Sequence, residues 1–228
     1  MALIEFFNID CIEFMKTKPD NYYDLAIVDP PYGIHDKILK GGRTGKVLFG
    51  ALYEQNQWDK ETPSKEYFDE LFRVSKNQII CGGNYFTDKI PPSRGWIIWD
   101  KLCDGMTTVN PEMIWTSFDV APKIFKRGHG LDKGFMNKEG SNIHPTQKPK
   151  QLYQFLLKHF AKENDIILDT HLGSASIAIA IDDMNKIEKL NLSFYGCEIN
   201  KQYFDAALKR FKTQTQQQKI ELCQITKQ

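Results

Sequence analysis

The residue types best suited to chemistry stand together in the tetrapeptide Asp29-Pro30-Pro31-Tyr32. It directly follows the apolar run Leu25–Val28, which predicts a buried strand, so the tetrapeptide lies at the carboxyl end of a strand, where open α/β sheets bind ligands. A residue before proline is pushed out of the helical region, and proline itself has no N–H. We therefore expect a conformationally restricted segment at the end of the strand that exposes the Asp29 carboxylate, the Pro30 carbonyl and the Tyr32 ring.

Two acceptors beside an aromatic ring suit a planar base that carries an exocyclic NH2 group, such as adenine or cytosine. Such an amine is a poor nucleophile because its lone pair is delocalised into the ring. Acceptors on both of its hydrogens favour a pyramidal nitrogen whose lone pair points outward. Hydrogen bonds to a charged group contribute about 1.5 to 3 kcal/mol and stacking of a base about 1 to 3 kcal/mol. These contributions help to hold a flipped base, whose extraction costs a few kcal/mol.

A second candidate site begins at Asp169, which follows the apolar run Ile166–Leu168 and precedes His171, Gly173 and Ser174. A glycine between a strand and a helix allows a ligand to approach the backbone, and the helix amino terminus favours an anionic group. Glu198 ends the next predicted strand, where an acid commonly binds ribose hydroxyls. The three spaced glycines of a dinucleotide fingerprint are missing. This pattern favours S-adenosylmethionine over NAD as the cofactor.

Short apolar runs alternate with amphipathic stretches along the chain, which predicts an α/β fold with a mainly parallel sheet and helices on both faces. The predicted strands are Ile4–Ile9, Leu25–Val28, Gln78–Cys81, Trp96–Trp99, Glu112–Thr116, Lys123–Lys126, Ile166–Leu168 and Phe194–Cys197. Four helices are predicted. The first is capped by Ser64 and has apolar positions at Tyr67, Phe68, Leu71 and Phe72, and the second covers Leu152–Phe160 with Pro149 in its first turn. The other two are Ser174–Met184 and Lys201–Phe211.

The 228 residues suffice for one sizeable core, so residues 1–228 are predicted to form a single catalytic domain. A net charge of +1 excludes a uniform polycation, so nucleic-acid contacts must come from local patches. The longest apolar run, Ser174–Ile181, is too short to span a bilayer, and the first residues lack a signal-peptide pattern. The five cysteines show no zinc spacing, so we expect no metal site and a cytoplasmic location.

Two stretches, residues 33–62 and 100–147, contain long loops without clear periodicity and with an excess of basic residues, and residues 212–228 form a polar tail. Long loops inside a compact domain are usually functional or mobile. If the chain recognises a DNA sequence, these loops must supply the contacts to phosphates and base edges. The candidate contact residues are Arg43, Lys46, Lys126, Arg127, Lys133 and Lys138.

Together these motifs resemble the amino-group DNA methyltransferases, adenine-N6 or cytosine-N4, of the circularly permuted β class. In that class the Asp-Pro-Pro-Tyr motif precedes the cofactor motif, and a His-Pro-Thr-Gln-Lys-Pro segment, here His144–Pro149, lies between them. The resemblance also covers Asp10-Cys11, Gly82–Phe86 and Trp99–Lys101. It implies the fold of S-adenosylmethionine-dependent methyltransferases, a Rossmann-like, seven-stranded, mostly parallel sheet with one reversed strand.

The resemblance also implies roles for individual residues. The target-base site falls on Asp29, Pro30, Pro31 and Tyr32, and the cofactor site on Asp10, Cys11, Asp29, Lys148, Asp169, His171, Gly173, Ser174 and Glu198. Family members usually read Asp-Pro-Phe-x-Gly-Ser-Gly at the cofactor motif, whereas here Thr170, His171 and Ala175 replace the Pro, the Phe and the last Gly. An imidazole can cover the cofactor as a phenyl ring does, while the Ala175 methyl group predicts weaker binding.

The sequence thus predicts an enzyme that moves a methyl group from S-adenosylmethionine to the amino nitrogen of a flipped DNA base, as in restriction-modification systems. Within the family, Asp at the first motif position leans toward adenine N6. Cytosine N4 methylation and a catalytically inactive DNA-binding relative remain alternatives, with an NAD-dependent oxidoreductase as a less favoured one. The oligomeric state stays open, with a homodimer as one option.

Overall fold

The computed structural model of the chain describes residues 2–34, 59–102, 111–128 and 147–225, with side chains as far as Gln216. Contacts group the chain into two compact units, and each unit is described by itself. The first unit contains the described residues 2–14 and 147–225, and the second contains 15–34, 59–102 and 111–128. The predicted base motif falls in the second unit, and the glycine turn with Glu198 falls in the first.

The first unit is built on three parallel strands, β1 (Ile4–Phe7), β7 (Ile166–Asp169) and β8 (Ser193–Cys197). β8 lies in the middle, with Ile4 opposite Phe194 on one side and Ile167 opposite Phe194 on the other. Parallel strands need crossover connections, and helices supply them here. The helices of this unit are α3 (Lys150–Phe160), α4 (Ser176–Ile187) and α5 (Lys201–Ile225).

The second unit contains five strands: β2 (Tyr23–Val28), β3 (Ser75–Cys81), β4 (Trp96–Asp100), β5 (Glu112–Thr116) and β6 (Lys123–Lys126). They form a mixed sheet in the order β2-β3-β5-β4-β6. β2 pairs in parallel with β3, and β4 with β6, whereas β5 is antiparallel to both of its neighbours. β5 is therefore the reversed strand of this unit.

Helix α2 (Lys65–Val74) shows why the local sequence folds as it does. Ser64 caps it by accepting a hydrogen bond from the backbone N–H of Tyr67 at 3.3 Å. Its apolar positions recur at helical spacing, so Tyr67, Phe68, Leu71 and Val74 are buried on one face. Complete burial of such a side chain contributes about 1.5 to 3 kcal/mol. A 3-10 turn, Gly83–Tyr85, follows β3.

All eight predicted strands are present, one more than the seven that the family resemblance implied. The polar-apolar alternation of Lys123–Lys126 produces the additional short strand β6, which pairs with β4. The predicted helices also occur, although α4 begins at Ser176 rather than Ser174 and α5 continues past Phe211 to Ile225.

The sequence analysis missed the short helix α1 (Cys11–Lys16), where the chain passes from the first unit into the second. Six residues are too few to show a helical periodicity. None of the described helices is long and apolar enough to cross a membrane.

Candidate active site

The Asp29–Tyr32 motif lies directly after β2, whose residues are nearly all buried. Pro30 is buried, while Asp29, Pro31 and Tyr32 remain partly exposed. The strand therefore places the motif at its carboxyl end, as the sequence predicted, with Asp29 only partly buried.

Asp59 fixes the backbone of this motif. Its Oδ1 atom accepts hydrogen bonds from the backbone N–H groups of Tyr32 at 2.6 Å and Gly33 at 2.9 Å. Only 2% of Asp59 is exposed, so solvent offers little competition for these bonds. Gly33 adopts a φ of +68°, a conformation that glycine accepts at no steric cost. Sequence reasoning missed Asp59, because no local pattern predicts its contact with Tyr32 and Gly33, which lie more than 25 positions earlier in the chain.

The hydroxyl group of Tyr32 lies between two carboxylates. Its Oη atom is 2.6 Å from Oδ1 of Asp29 and 3.0 Å from Oε1 of Glu112. Burial raises the pKa of Tyr32 well above its usual value, and the charges of Asp29 and Glu112 raise it further. The phenol therefore keeps its proton at neutral pH and acts as a hydrogen-bond donor.

The Tyr32 ring already has an aromatic neighbour. It is stacked on Tyr85, with ring centroids 4.9 Å apart and planes 12° from parallel. It also packs against the backbone of Gly82, where an added Cβ atom would lie 2.3 Å from Tyr32 Cε1. Gly82 has a φ of +66°, so both space and backbone conformation require glycine there. These contacts hold the ring in place, and its role in stacking a base stays a prediction.

Glu112 connects the motif to a buried ion pair. Its Oε2 atom lies 2.9 Å from Nζ of Lys101, and the two side chains are only 10% and 16% exposed. The Lys101 ammonium group is also 4.8 Å from the centre of the Trp99 ring, a cation–π distance. Glu112 is the first residue of the reversed strand β5, so it lies where the parallel strands β2 and β3 end.

Within the described residues, one group of three side chains has metal-ligand character: Asp29, Cys81 and Glu112, whose ligand atoms all lie within 4.8 Å of one another. Both oxygens of Glu112 are engaged, one by Tyr32 and one by Lys101. Lys101 thus already provides a positive charge beside Glu112, and we assign no metal to this group.

In the first unit, Asp10 follows β1 and caps α1. Its Oδ1 atom accepts hydrogen bonds from the backbone N–H groups of Ile12 at 2.9 Å and Glu13 at 3.1 Å. Burial, together with the charge of Asp10, raises the pKa of Cys11 to about 12. The Cys11 thiol therefore stays protonated at neutral pH and is no nucleophile.

The glycine turn and Glu198 are joined directly. The backbone N–H of Gly173 donates to Oε2 of Glu198 at 3.0 Å, and the N–H of Asn200 donates to Oε1 at 2.9 Å. Burial raises the pKa of Glu198, although these backbone hydrogen bonds act in the opposite direction. The sequence paired Gly173 with Glu198 as parts of one site, and the structure brings them into contact.

The residues between β7 and α4 form a tightly bonded turn. Asp169 is buried, and its Oδ1 atom accepts from the backbone N–H of His171 at 3.0 Å. The imidazole of His171 lies 2.9 Å from Oγ1 of Thr170. Burial lowers the pKa of His171 to about 4, against the opposing effect of Asp10. The imidazole is therefore neutral at physiological pH, as a substitute for a phenyl ring should be.

The end of the turn carries backbone strain and an unexpected arginine. Ala175 has a φ of +57°, in the left-handed region that costs a non-glycine residue about 1 to 3 kcal/mol. Arg210 from α5 reaches this turn, where its Nη1 atom donates to the backbone oxygen of Ser174 at 2.6 Å and to Oγ of Ser176 at 2.9 Å. Ser174 and Arg210 are both buried. No local pattern in the sequence indicates this contact, which spans 36 positions.

Lys148, the remaining predicted cofactor residue, is 5% exposed and precedes α3 in the same unit. Other predicted contacts lie outside the described residues: Arg43, Lys46, Lys133, Lys138 and His144. Lys126 and Arg127 are described, and Lys126 is exposed at the end of β6.

The residues of the first unit fit S-adenosylmethionine by their chemistry. A carboxylate offers about four acceptor positions, so the backbone donors of Gly173, Asn200 and Ile199 leave Glu198 with capacity for a sugar hydroxyl. Gly173 has a φ of +48° and no side chain, so the backbone of the turn is accessible to a ligand.

Solved structures show what class of protein this fold defines. The chain has a TM-score of 0.56 with TTHA0409 from Thermus thermophilus in complex with S-adenosyl-L-methionine, at 15% identity over 94% of this chain and 96% of that one. It has a TM-score of 0.56 with the cytosine-N4-specific PvuII DNA methyltransferase, at 13% identity over 92% and 87% of the two chains. The fold is that of the S-adenosylmethionine-dependent DNA methyltransferases.

Sequence comparison identifies the family. The chain is 24% identical to the Type II methyltransferase M.HpaI of Haemophilus parainfluenzae, over 90% of this chain and 73% of that protein. It is 26% identical to M.HinfI of Haemophilus influenzae, over 89% and 67%. The family model for DNA methylases of the N6/N4 group matches residues 96–209, half of the chain. The chain therefore belongs to the N6/N4 DNA methylase family.

Proposed function

We propose that this protein transfers the methyl group of S-adenosylmethionine to adenine N6 in DNA, and that residues 1–228 act as one catalytic domain of the permuted β class. Membership of the N6/N4 DNA methylase family supports a methyltransferase that acts on an amino group of a DNA base. The observation that carries the proposal further is the partly exposed Asp29, whose Oδ1 atom lies 2.6 Å from the hydroxyl group of Tyr32, a residue whose backbone N–H is bonded to Asp59.

Asp29 and Pro30 orient the base. The Asp29 carboxylate accepts one hydrogen of the exocyclic amine, and the Pro30 carbonyl accepts the other. With both hydrogens engaged, the nitrogen lone pair points away from the ring and becomes available for attack. A hydrogen bond to a charged acceptor contributes about 1.5 to 3 kcal/mol. The proton that the nitrogen loses after transfer leaves along one of these two bonds.

The residues of the first unit bind the cofactor in this proposal. Glu198 accepts hydroxyl groups of the ribose, the turn at Gly173 and Ser174 receives the ligand against its backbone, and neutral His171 offers a flat ring. Asp10, Cys11, Lys148 and Asp169 complete the set. S-adenosylmethionine, when bound, supplies a methyl group on a positively charged sulfur.

The preference for adenine rests on Asp29 as the first residue of the motif. Cytosine N4 is the second candidate, because the same two acceptors suit its amine equally well and one protein of the same fold is cytosine-N4-specific. We place the reaction on DNA in the cytoplasm.

Labelled methyl transfer tests this function. The protein is incubated with S-adenosylmethionine carrying a tritiated methyl group and with DNA, and the DNA is digested to nucleosides. We expect label in N6-methyladenine, while label in N4-methylcytosine would assign the second candidate. A thermal shift with S-adenosylhomocysteine but not with NAD is expected as well; a shift with NAD alone would indicate an oxidoreductase, and a shift with neither a binding module.

Substitution of Asp29 tests the assigned site. We expect Asp29→Ala to abolish methyl transfer and to leave the affinity for S-adenosylhomocysteine largely intact. Asp24→Ala is the matched control, because Asp24 lies on the preceding strand β2 and pairs with Lys76 at the surface. Full activity of Asp29→Ala would refute the assigned role.

A further inference from the structure

We propose that Arg210 of α5 is a positioning residue for the cofactor, because it holds the turn Gly173–Ser176 in the conformation to which the cofactor binds. The inference rests on the proposed function, which assigns this turn to S-adenosylmethionine. Arg210 belongs to none of the motifs that the sequence analysis associated with the cofactor, and it lies on the helix that follows Glu198.

The backbone of this turn is in an unfavourable conformation at one position. Gly173 and Ala175 have φ values of +48° and +57°. Glycine adopts such values without steric cost, whereas the Cβ atom of alanine makes them unfavourable. Ala175 is also the N-cap residue of α4, and its side chain has no oxygen that could accept a hydrogen bond from the helix. Other groups must therefore stabilise the turn in this conformation.

Arg210 contacts the turn on both sides of Ala175. Its Nη1 atom donates to the backbone oxygen of Ser174 at 2.6 Å and to Oγ of Ser176 at 2.9 Å. The Ser174 oxygen belongs to the same peptide unit as the N–H of Ala175, which donates to the backbone oxygen of Leu172 at 2.8 Å. The peptide plane that precedes the φ rotation of Ala175 is therefore fixed at both of its polar groups.

These bonds lie in a part of the turn from which water is largely excluded. Ser174 and Ser176 are 6% and 3% exposed, and Arg210 is 7% exposed. A hydrogen bond from a charged donor is roughly twice as strong as one between neutral groups, and burial removes the competition of solvent. Gly173 is partly exposed and bonded to Glu198. Arg210 thus contacts the buried end of the turn, whereas we place the cofactor at the partly exposed end.

The consequence for binding is a change in population. If loss of Arg210 allows Ala175 to relax to a negative φ, a smaller fraction of the molecules has a turn that is competent to bind. The apparent dissociation constant rises in inverse proportion to that fraction. Arg210 therefore contributes to the affinity for the cofactor by acting on the turn.

Isothermal titration calorimetry with S-adenosylhomocysteine tests the inference. We expect Arg210→Met to raise the dissociation constant by about tenfold or more, because two charge-assisted hydrogen bonds are lost. Arg210→Lys, which keeps the charge and a donor, should recover part of the affinity. Lys209→Met is the matched control, because Lys209 is the exposed neighbour of Arg210 on α5, and it should bind normally. Equal dissociation constants in Arg210→Met and Lys209→Met would overturn the inference.

The same measurement in an Ala175→Gly background isolates the effect on the turn. Glycine at position 175 accepts a positive φ without steric cost, so the turn depends less on Arg210. In this background we expect Arg210→Met to raise the dissociation constant by no more than about threefold. Any effect that Arg210 has elsewhere in the fold is common to both backgrounds and cancels in the comparison. Equal fold-changes in the two backgrounds would overturn the inference.

Calorimetry also separates positioning from a general role of a buried arginine in folding. Misfolded protein lowers the number of binding sites per chain, whereas a displaced turn weakens each site. Ser176→Ala is the milder variant, because it removes one acceptor and leaves Arg210 in place. We expect it to raise the dissociation constant by about threefold or more with the number of sites unchanged. If Arg210→Met does not fold, an unchanged affinity in Ser176→Ala would overturn the inference.

The kinetics of methyl transfer give a second readout. We expect Arg210→Met to raise KM for S-adenosylmethionine and to change kcat at saturating cofactor by less than about twofold. An unchanged KM would count against the inference in the same way as an unchanged affinity. If the unsubstituted protein binds S-adenosylhomocysteine but transfers no methyl group, the proposed function fails, and the calorimetric comparison still decides the inference. If it does not bind S-adenosylhomocysteine, both fail.

Discussion

The backbone N–H of Gly173 donates a 3.0 Å hydrogen bond to the carboxylate of Glu198, which joins the turn after β7 to the end of β8. One acid thus holds the turn and retains acceptor capacity for a ligand. A change to this single side chain should therefore disturb the turn and the binding of a sugar together.

Glu198→Gln should weaken binding of S-adenosylhomocysteine by about tenfold or more. The amide keeps one acceptor oxygen but turns an NH2 group toward a backbone N–H, which loses a charge-assisted bond of about 1.5 to 3 kcal/mol. Isothermal titration calorimetry measures the change. Glu188→Gln, at an exposed position after α4, serves as the control and should bind normally. Equal affinities in both variants would remove Glu198 from the cofactor site.

Asp59→Ala should lower kcat for methyl transfer by at least about tenfold and leave the affinity for S-adenosylhomocysteine within about twofold. It removes the acceptor of two backbone N–H groups, and each buried donor left unsatisfied costs about 1 to 3 kcal/mol. Asp59→Asn keeps an acceptor oxygen and should have a smaller effect. Asp69→Ala, in an exposed pair with Lys65, is the control for loss of an acid. The prediction fails if Asp59→Ala and Asp69→Ala have the same kcat.

Gly82→Ala should destabilise the protein more than Gly33→Ala, as measured by urea unfolding. Both glycines have a similar positive φ, +66° and +68°, so both variants bear the backbone cost of about 1 to 2 kcal/mol. Only at Gly82 would the new methyl group also collide with the Tyr32 ring, at 2.3 Å from Cε1, whereas the nearest atom at Gly33 is 3.2 Å away. The rate of methyl transfer should also be lower in Gly82→Ala than in Gly33→Ala. Equal losses at the two positions would contradict the close packing of Tyr32.

His171→Phe should reduce the loss of stability on acidification. Because the pKa of His171 is lowered from 6.5 to about 4 in the folded protein, only the unfolded chain takes up this proton between those values. The free energy of unfolding therefore decreases as the pH falls from 6.5 toward about 4, because protonation of His171 favours the unfolded chain. Relative to the variant, the unsubstituted protein should lose about 1 to 2 kcal/mol between pH 7 and pH 5.

Urea unfolding at both pH values measures this difference. His159→Phe is the control, because His159 is exposed on α3, and it should retain the pH dependence of the unsubstituted protein. Identical pH dependence in His171→Phe would show that the imidazole is not held neutral by burial. The same variant should bind S-adenosylhomocysteine as well as the unsubstituted protein, since a phenyl ring offers a similar flat surface.

The strands and the motifs at their ends could be predicted from the sequence. β2 is a short, mostly apolar run followed by Asp29, and β7 is one that ends in Asp169; this pattern identifies both the strand and the position of the acid at its carboxyl end. The pairing of Gly173 with Glu198 followed from the βαβ rule, because successive parallel strands lie side by side.

The partners of Asp29 and Tyr32 were not predictable in the same way. Glu112 reaches Tyr32 across 80 positions because β5 pairs with β3 in the reversed direction, so its first residue lies at the end of β2 and β3. A sequence read alone gives neither the strand order nor which strand is reversed. Arg210 and Asp59 were missed for the same reason, since each acts on a backbone group far away in the chain.

The bond between Gly33 and Asp59 also bears on how changes between these two residues would be tolerated. It joins the backbone at Gly33 to the side chain of Asp59, the described residues on either side of this part of the chain. Doubling the length of a tethered loop costs only about 0.6 kcal/mol in closure entropy. A chimaera that carries a relative's segment between these two anchor residues should therefore fold and keep the bonds of Asp59 to Tyr32 and Gly33.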